Sequence, residues 1–122
     1  MNLENMVEDY LVCALWSSTD ENGRPLDDDF GTEDIDAATT KQTEEDCKAF
    51  LEECQDVLEQ IGEYPFSFGH DFWLSRNGHG AGFFDRVGPN HPHAKLYDIL
   101  QDRARVWGSV DLYVGDDGNI YS

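Results

Sequence analysis

The 122 residues form a chain of 13.9 kDa, enough for one domain with its own core and no need of disulfide or metal staples. With 39% hydrophobic and 12% aromatic residues, wholesale disorder is excluded. Twenty-six acids against eight Lys and Arg leave a formal net charge of -18, which disfavours bare nucleic acid and anionic membranes as direct partners and favours a cationic one.

The charge is unevenly divided. Residues 1–63 contain 19 acids and 3 bases, net -16, whereas residues 64–122 contain 7 acids and 5 bases, net -2. A single domain over 1–122 is expected, with an acidic helical half at 1–63 and a hairpin-helix-hairpin half at 64–122. "MNLENMVEDY" has neither a basic start nor an apolar run, and no apolar stretch approaches the roughly eighteen residues of a membrane span. Three cysteines without CxxC spacing fit a reducing cytoplasm.

Leu3, Met6, Val7, Tyr10, Leu11, Ala14 and Leu15 recur at helical spacing and predict an amphipathic helix over 3–17. "SSTDENGRP" ends it with turn chemistry at Asn22-Gly23 and Pro25. From there to about residue 41 the sequence reads as an acidic loop pinned by Leu26, Phe30 and Ile35. Thr43 opens T-E-E-D, an N-cap with an acid three residues on, and Cys47, Phe50, Leu51, Cys54, Val57, Leu58 and Ile61 continue a helix over 43–62, closed near Gly62. Cys47 and Cys54 are about 10 Å apart along that axis, too far for a disulfide, and are expected in the core without a catalytic role.

After "EYPFSFG" the apolar period changes from 3.6 to 2. "HDFWLSR" and "GFFDR" flank "NGHGA", which predicts a β-hairpin with Asn77-Gly78 in or near the turn. "GPNHP" interrupts it. Pro92 suits the first position of a third helix, with Leu96, Ile99, Leu100, Ala104 and Trp107 as its stripe and Gly108 as its end. "VDLYVGDDGNIYS" predicts a second hairpin, with strands near 110–114 and 119–121. The expected fold is α+β, an antiparallel sheet of two β-hairpins packed with about three α-helices.

The hairpin register decides what chemistry the first hairpin carries. A two-residue turn sets His70 opposite Asp85 and Arg76 opposite His79, and a longer loop sets Trp73 opposite Arg86. In the first register His70 and Asp85 form either a general base with its orienting carboxylate or an ordinary cross-strand contact. No Ser or Cys sits in a nucleophile setting, so no catalytic residue is assigned and a non-enzymatic protein is expected. The glycine-rich run 77–82, between Arg76 and Arg86, has the backbone donors of a phosphate nest but leads into a strand, where a phosphate fingerprint would enter a helix. His70, Arg76, His79, Asp85 and Arg86 therefore define an alternative small-ligand, metal-binding or catalytic module. His91 and His93 with His70, His79, Asp71 and Asp85 supply possible metal donors, yet one of the paired His can simply cap a helix, and "DLYVGDDGNIY" lacks the terminal Glu of a calcium loop. No metal or cofactor is assigned.

The acids carry the leading expectation. Glu45, Glu52, Glu53, Asp56 and Glu59 fall opposite the apolar stripe of the helix over 43–62. With Glu44 and Asp46 they put seven carboxylates on a helix of roughly 30 Å, about one per 4 Å against one phosphate per about 3.4 Å of a DNA strand. Together with Asp20, Glu21, Asp27, Asp28, Asp29, Glu33, Asp34 and Asp36 they define a candidate partner-binding surface. The competing explanation is a solvated face that aids solubility.

Three segments, "ALWSSTDENGRPLDDDF" (14–30), "HDFWLSRNGHGAGFFDR" (70–86) and "VDLYVGDDGNIY" (110–121), carry a resemblance. The chain resembles a family of small acidic bacteriophage and prophage proteins with a DFWLxRNGHGAGFxDR motif, although Phe84 stands where that family commonly has Trp. The resemblance implies a phage context and the host cytoplasm. There, small acidic proteins block restriction enzymes, CRISPR complexes or repair enzymes by mimicking DNA. The partner implied is a basic nucleic-acid-binding host protein.

Overall fold

The computed structural model describes residues 2–78 and 82–122. The chain builds five α-helices: α1 (Leu3–Ser17), α2 (Ala37–Glu53), α3 (Gln55–Ile61), α4 (Phe68–Arg76) and α5 (Ala94–Val106). The only strands among the described residues are β1 (Tyr113–Val114) and β2 (Ile120–Tyr121), paired antiparallel with Tyr113 opposite Tyr121 and Val114 opposite Ile120. The expected α+β fold with two hairpins is thus corrected to a mainly helical fold with one small hairpin.

Helix α1 forms over the expected residues. Asn2 caps it, its Oδ1 accepting from the Glu4 and Asn5 amides at 2.7 and 3.3 Å, and Met6, Val7, Tyr10, Leu11, Ala14 and Leu15 are buried. The acidic loop is also where it was expected, with Leu26 and Ile35 buried and Phe30 packed on the core, and two 3₁₀ turns (Leu26–Asp28 and Thr32–Asp34) shape it. It ends sooner than expected because α2 starts at Ala37, capped by Asp36, whose carboxylate accepts from the Ala38 and Thr39 amides. Thr43, read as an N-cap, is buried inside α2 and donates its hydroxyl to the Thr39 carbonyl. The single helix expected over 43–62 is divided at Cys54, where φ -97° and ψ 5° leave helical geometry and α3 begins. Gly62, at φ 89°, closes α3.

The largest departure is residues 68–76, which form α4 and not a strand. Ser67 caps it through a 3.3 Å bond from the His70 amide to its Oγ, Asp71 lies in the first turn and Arg76 in the last, all in keeping with the helix dipole. Phe68, Gly69 and every residue from Asp71 to Arg76 are buried, so the helix has no solvated face and shows no 3.6-residue stripe. Asn77-Gly78 is its C-terminal stop, with Gly78 at φ 68° and its amide bonded to the Ser75 carbonyl at 3.3 Å. The second expected strand, "GFFDR", contains the 3₁₀ turn Phe83–Asp85. His79, at the tip of the expected hairpin, lies outside the described residues.

Aromatic residues on three elements meet around α4. Phe50 of α2 stacks on Phe72 with centroids 4.0 Å apart and planes within 2°, and Trp107, after α5, meets both rings edge-on. Tyr10 of α1 stands edge-on to Trp73, whose Nε1 donates to Ser17 Oγ at 2.7 Å. Each fully buried Phe contributes on the order of 1.5–3 kcal/mol. Backbones also touch. A Cβ at Gly69 would strike the Met6 carbonyl oxygen and stand 3.1 Å from the Tyr10 amide nitrogen, so α1 and α4 cross at that glycine.

Helix α5 begins two residues after Pro92, buries Tyr97, Leu100 and Ala104, and leaves Ile99, expected on its apolar stripe, 39% exposed. Cys47 and Cys54 are free and buried, as expected, and so is Cys13.

Two outcomes follow. Gly69→Ala should destabilise the fold by at least about 1–3 kcal/mol through overpacking at the α1–α4 crossing, read as a lower urea midpoint, whereas Gly88→Ala, where a Cβ meets nothing, should stay within about 0.5 kcal/mol. Burial raises the three thiols from 9.0 to about 12. The unfolded chain therefore loses these protons first, and the stability they contribute, complete below pH 9, is lost as pH rises toward 12. The urea midpoint should hold level from neutrality to about pH 8.5 and fall above about pH 9. A level midpoint up to about pH 11 would contradict this account.

Candidate functional site

Helix α4 presents its polar side chains in opposite directions, and two networks result. On one side Asp71, with no solvent exposure, receives the Arg86 guanidinium through Nε at 3.0 Å and Nη2 at 2.6 Å, and also accepts a hydrogen bond from the Tyr64 hydroxyl. Burial and the neighbouring Asp71 carboxylate raise the Tyr64 phenol well above its ordinary range, and the bond to Asp71 raises the Arg86 pKa as well. His70 borders this network, its Nδ1 3.7 Å from Asp71 and 3.5 Å from Arg86 Nη2. Trp16 of α1 stacks on the His70 ring at 5.7 Å, and the Arg86 guanidinium lies 5.2 Å from the Phe66 ring centroid.

On the other side Arg76, 6% exposed, holds three elements at once. It donates to Asp46 of α2 at 3.0 Å, to the Tyr10 hydroxyl of α1 at 3.1 Å, and to the Gly108 and Trp107 carbonyls after α5 at 2.9 and 3.3 Å. Its guanidinium also lies over the Phe72 and Trp107 rings. Ser75 completes the set, donating to Gln101 Oε1 at 2.7 Å and accepting from the Phe83 amide at 3.1 Å, while the same Gln101 oxygen accepts from the Phe84 amide. Asn77 accepts from the Val110 amide at 2.9 Å and donates to the Trp73 carbonyl.

The alternative ligand site is therefore divided. His70 and Arg86 come together, but through Asp71, which the hairpin register did not pair with either. Arg76 is turned to the far side of α4 as a structural cation. Asp85 is exposed and does not face His70 across a ladder, since no ladder forms. His91 Nδ1 accepts from the His93 amide at 3.0 Å, a local contact before α5, and no group of three or more His, Cys, Asp or Glu among the described residues is placed to hold a metal ion.

The acidic surface also sorts into two classes. Six of the expected partner-binding acids are occupied locally. Asp20 accepts from the Asn22 and Arg24 amides, Asp34 from the Gly31 amide, Asp36 caps α2, Asp29 pairs with Arg24, Glu53 accepts from the Trp107 indole, and Asp56 pairs with Arg103 at 2.8 Å. The Arg103 bond holds the Asp56 carboxyl below its ordinary value. Glu21, Asp27, Asp28, Glu33, Glu45, Glu52 and Glu59 are exposed, with no hydrogen bond or ion pair among the described residues. Because α2 ends before Cys54 and Asp46 turns inward to Arg76, the straight row of seven carboxylates does not form. Glu45 and Glu52 ride on α2, Glu59 on α3.

Four of the five arginines, Arg24, Arg76, Arg86 and Arg103, are thus matched to particular aspartates. Arg105, Lys41, Lys48 and Lys95 are the remaining basic residues of the chain. The fold and surface define a small helical acidic protein whose best-placed cations serve its own framework. No protein-family model matches the chain, and neither does any curated protein or solved structure. No helix among the described residues is long and apolar enough to cross a membrane.

Asp71→Asn should lower the free energy of unfolding by about 3 kcal/mol, the low end of the range for a broken buried pair because Arg86 is partly exposed. Asp85→Asn should change it by less than about 0.5 kcal/mol. Equal losses from the two variants in urea titrations would contradict the assignment of Arg86 to Asp71.

Proposed function

We propose that the chain is a non-enzymatic inhibitor that carries nucleic-acid-like charge on its N-terminal half and occupies the basic DNA- or RNA-binding surface of a host protein. A phage context, with restriction, CRISPR or repair proteins as targets, comes from the resemblance of its motifs. The observation that carries the reading is the division of charge: four arginines matched to particular aspartates of the same chain, and other carboxylates of the first half left exposed without cations. A surface of that kind steers a cationic partner through the long-range field and gives up its counterions on contact, so binding weakens as salt rises. A solvated face serving solubility alone would have no such partner.

The test reverses Glu45, Glu52 and Glu59 to Lys, three exposed residues outside any ion pair, which raises the net charge from -18 to -12. Asp56 is left alone because its bond to Arg103 ties the start of α3 to α5. Partners retained from bacterial lysate at about 50 mM salt and released at about 500 mM should bind the reversed variant at least roughly tenfold more weakly. The wild-type chain should also displace a labelled duplex from them. Retention unchanged by the reversal, or partners that keep their duplex, would overturn the proposal.

A further inference from the structure

Between α1, α2 and the 3₁₀ turn Thr32–Asp34 runs an open groove of about 560 Å³. Its floor is a strip of α1: Leu3, Val7 and Leu11, at i, i+4 and i+8, which spans about 12 Å at 1.5 Å per residue. Leu3 is half-buried, and Val7 and Leu11 are seated on the core, so the strip is held rigidly from beneath. Four carboxylates line the rim. Glu4 and Glu8 stand on α1, Glu44 on α2 and Glu33 on the turn, all exposed and without a hydrogen bond or ion pair to a side-chain cation among the described residues.

This combination selects its occupant. Four carboxylates around an apolar floor repel phosphate, acidic peptides and anionic lipid. A simple polycation would satisfy the rim and leave the floor wet. A helix laid between two packed helices does both, because its apolar side chains at i and i+4 repeat at the same roughly 6 Å interval as the floor, and Lys or Arg on its flanks reach the rim.

We infer that this groove is the seat for a short basic amphipathic helix of the partner protein, about two turns of it in contact. The inference rests on the proposed function and narrows it, since it assigns the first contact to one helix of the partner and one groove of this chain.

The probes are two labelled peptides of about 16 residues, identical in Leu and Lys content. In one the Leu residues fall on a single helical face, and in the other they are scattered. By fluorescence anisotropy the amphipathic peptide should bind at least roughly tenfold more tightly. The preference should vanish in Leu3→Asp, which removes apolar floor while adding a negative charge suited to the first turn of α1, so that a pure charge effect would instead tighten binding. Glu4→Lys with Glu8→Lys and Glu44→Lys should weaken the amphipathic peptide more than Glu45→Lys with Glu52→Lys and Glu59→Lys does. Circular dichroism of each variant establishes that the helices are retained. Equal binding of the two peptides to the wild-type chain would overturn the groove assignment and leave the charge-mimic reading standing. Binding that ignores reversals on both faces, or no binding of either peptide, would overturn both.

Discussion

A carboxylate with no access to water must be neutralised where it stands, and Asp71 meets that requirement through Arg86 and the Tyr64 hydroxyl. The position of α4 depends on it. That helix is enclosed by α1, α2 and α5, so each polar side chain on it has to find a partner inside the protein: Asp71 takes the segment after the helix, Arg76 takes α2 and the end of α5, and Ser75 takes Gln101 and the Phe83 amide. Such an arrangement specifies one packing over its near neighbours. A shift of α4 by one residue would bury a charge with nothing opposite it, at a cost of several kcal/mol.

The same enclosure explains why the sequence of this segment has a strand-like pattern. A helix with a solvated side announces itself by a 3.6-residue stripe, as α1 does through Met6, Val7, Tyr10, Leu11 and Ala14, and its limits were legible to the residue. Helix α4 mixes acid, aromatic, aliphatic and base because every direction but that of the half-buried His70 is interior, and that mixture has the look of a strand. A signal was present nonetheless. Ser67 at an N-cap, Asp71 in the first turn, Arg76 in the last and Gly78 beyond the end spell a short helix with its dipole matched at both ends. For α2 the competing cap won: Asp36 caps the Ala37-Ala38 start through the Ala38 and Thr39 amides, and Thr43 lies far enough inside to be buried. Of the candidate site, only the exposure of the acids can be compared with the structure. The exposed acids were foreseen, but which of them are consumed by caps, turns and arginines depends on neighbours distant in sequence, such as Arg103 for Asp56.

The electrostatic design has a physical logic of its own. Net repulsion at this density opposes compactness. Arg76 and Arg86 reduce it where it is most costly, at the enclosed Asp46 and Asp71, and leave it where solvent screens it, at the exposed glutamates of α1 and α2. Stability and surface charge are thereby separated. Substitutions at the outer acids alter what the molecule attracts with little effect on its core.

The small C-terminal hairpin joins these two parts. Two strands of two residues are too short to persist alone, yet Ile120 is fully buried, bridges Ile35 and accepts from the Asp36 amide at 2.8 Å, while the Ser122 amide reaches Thr39 Oγ1. The acidic loop and the first turn of α2 thus share one fastening with the end of the chain. With that fastening shared, the loop, the first turn of α2 and the hairpin are expected to open as one unit, ahead of the aromatic centre around Phe72. A binder of the loop that tightens this fastening would slow hydrogen exchange at Tyr113 and Tyr121, so the hairpin serves as a remote reporter of what happens on the acidic face.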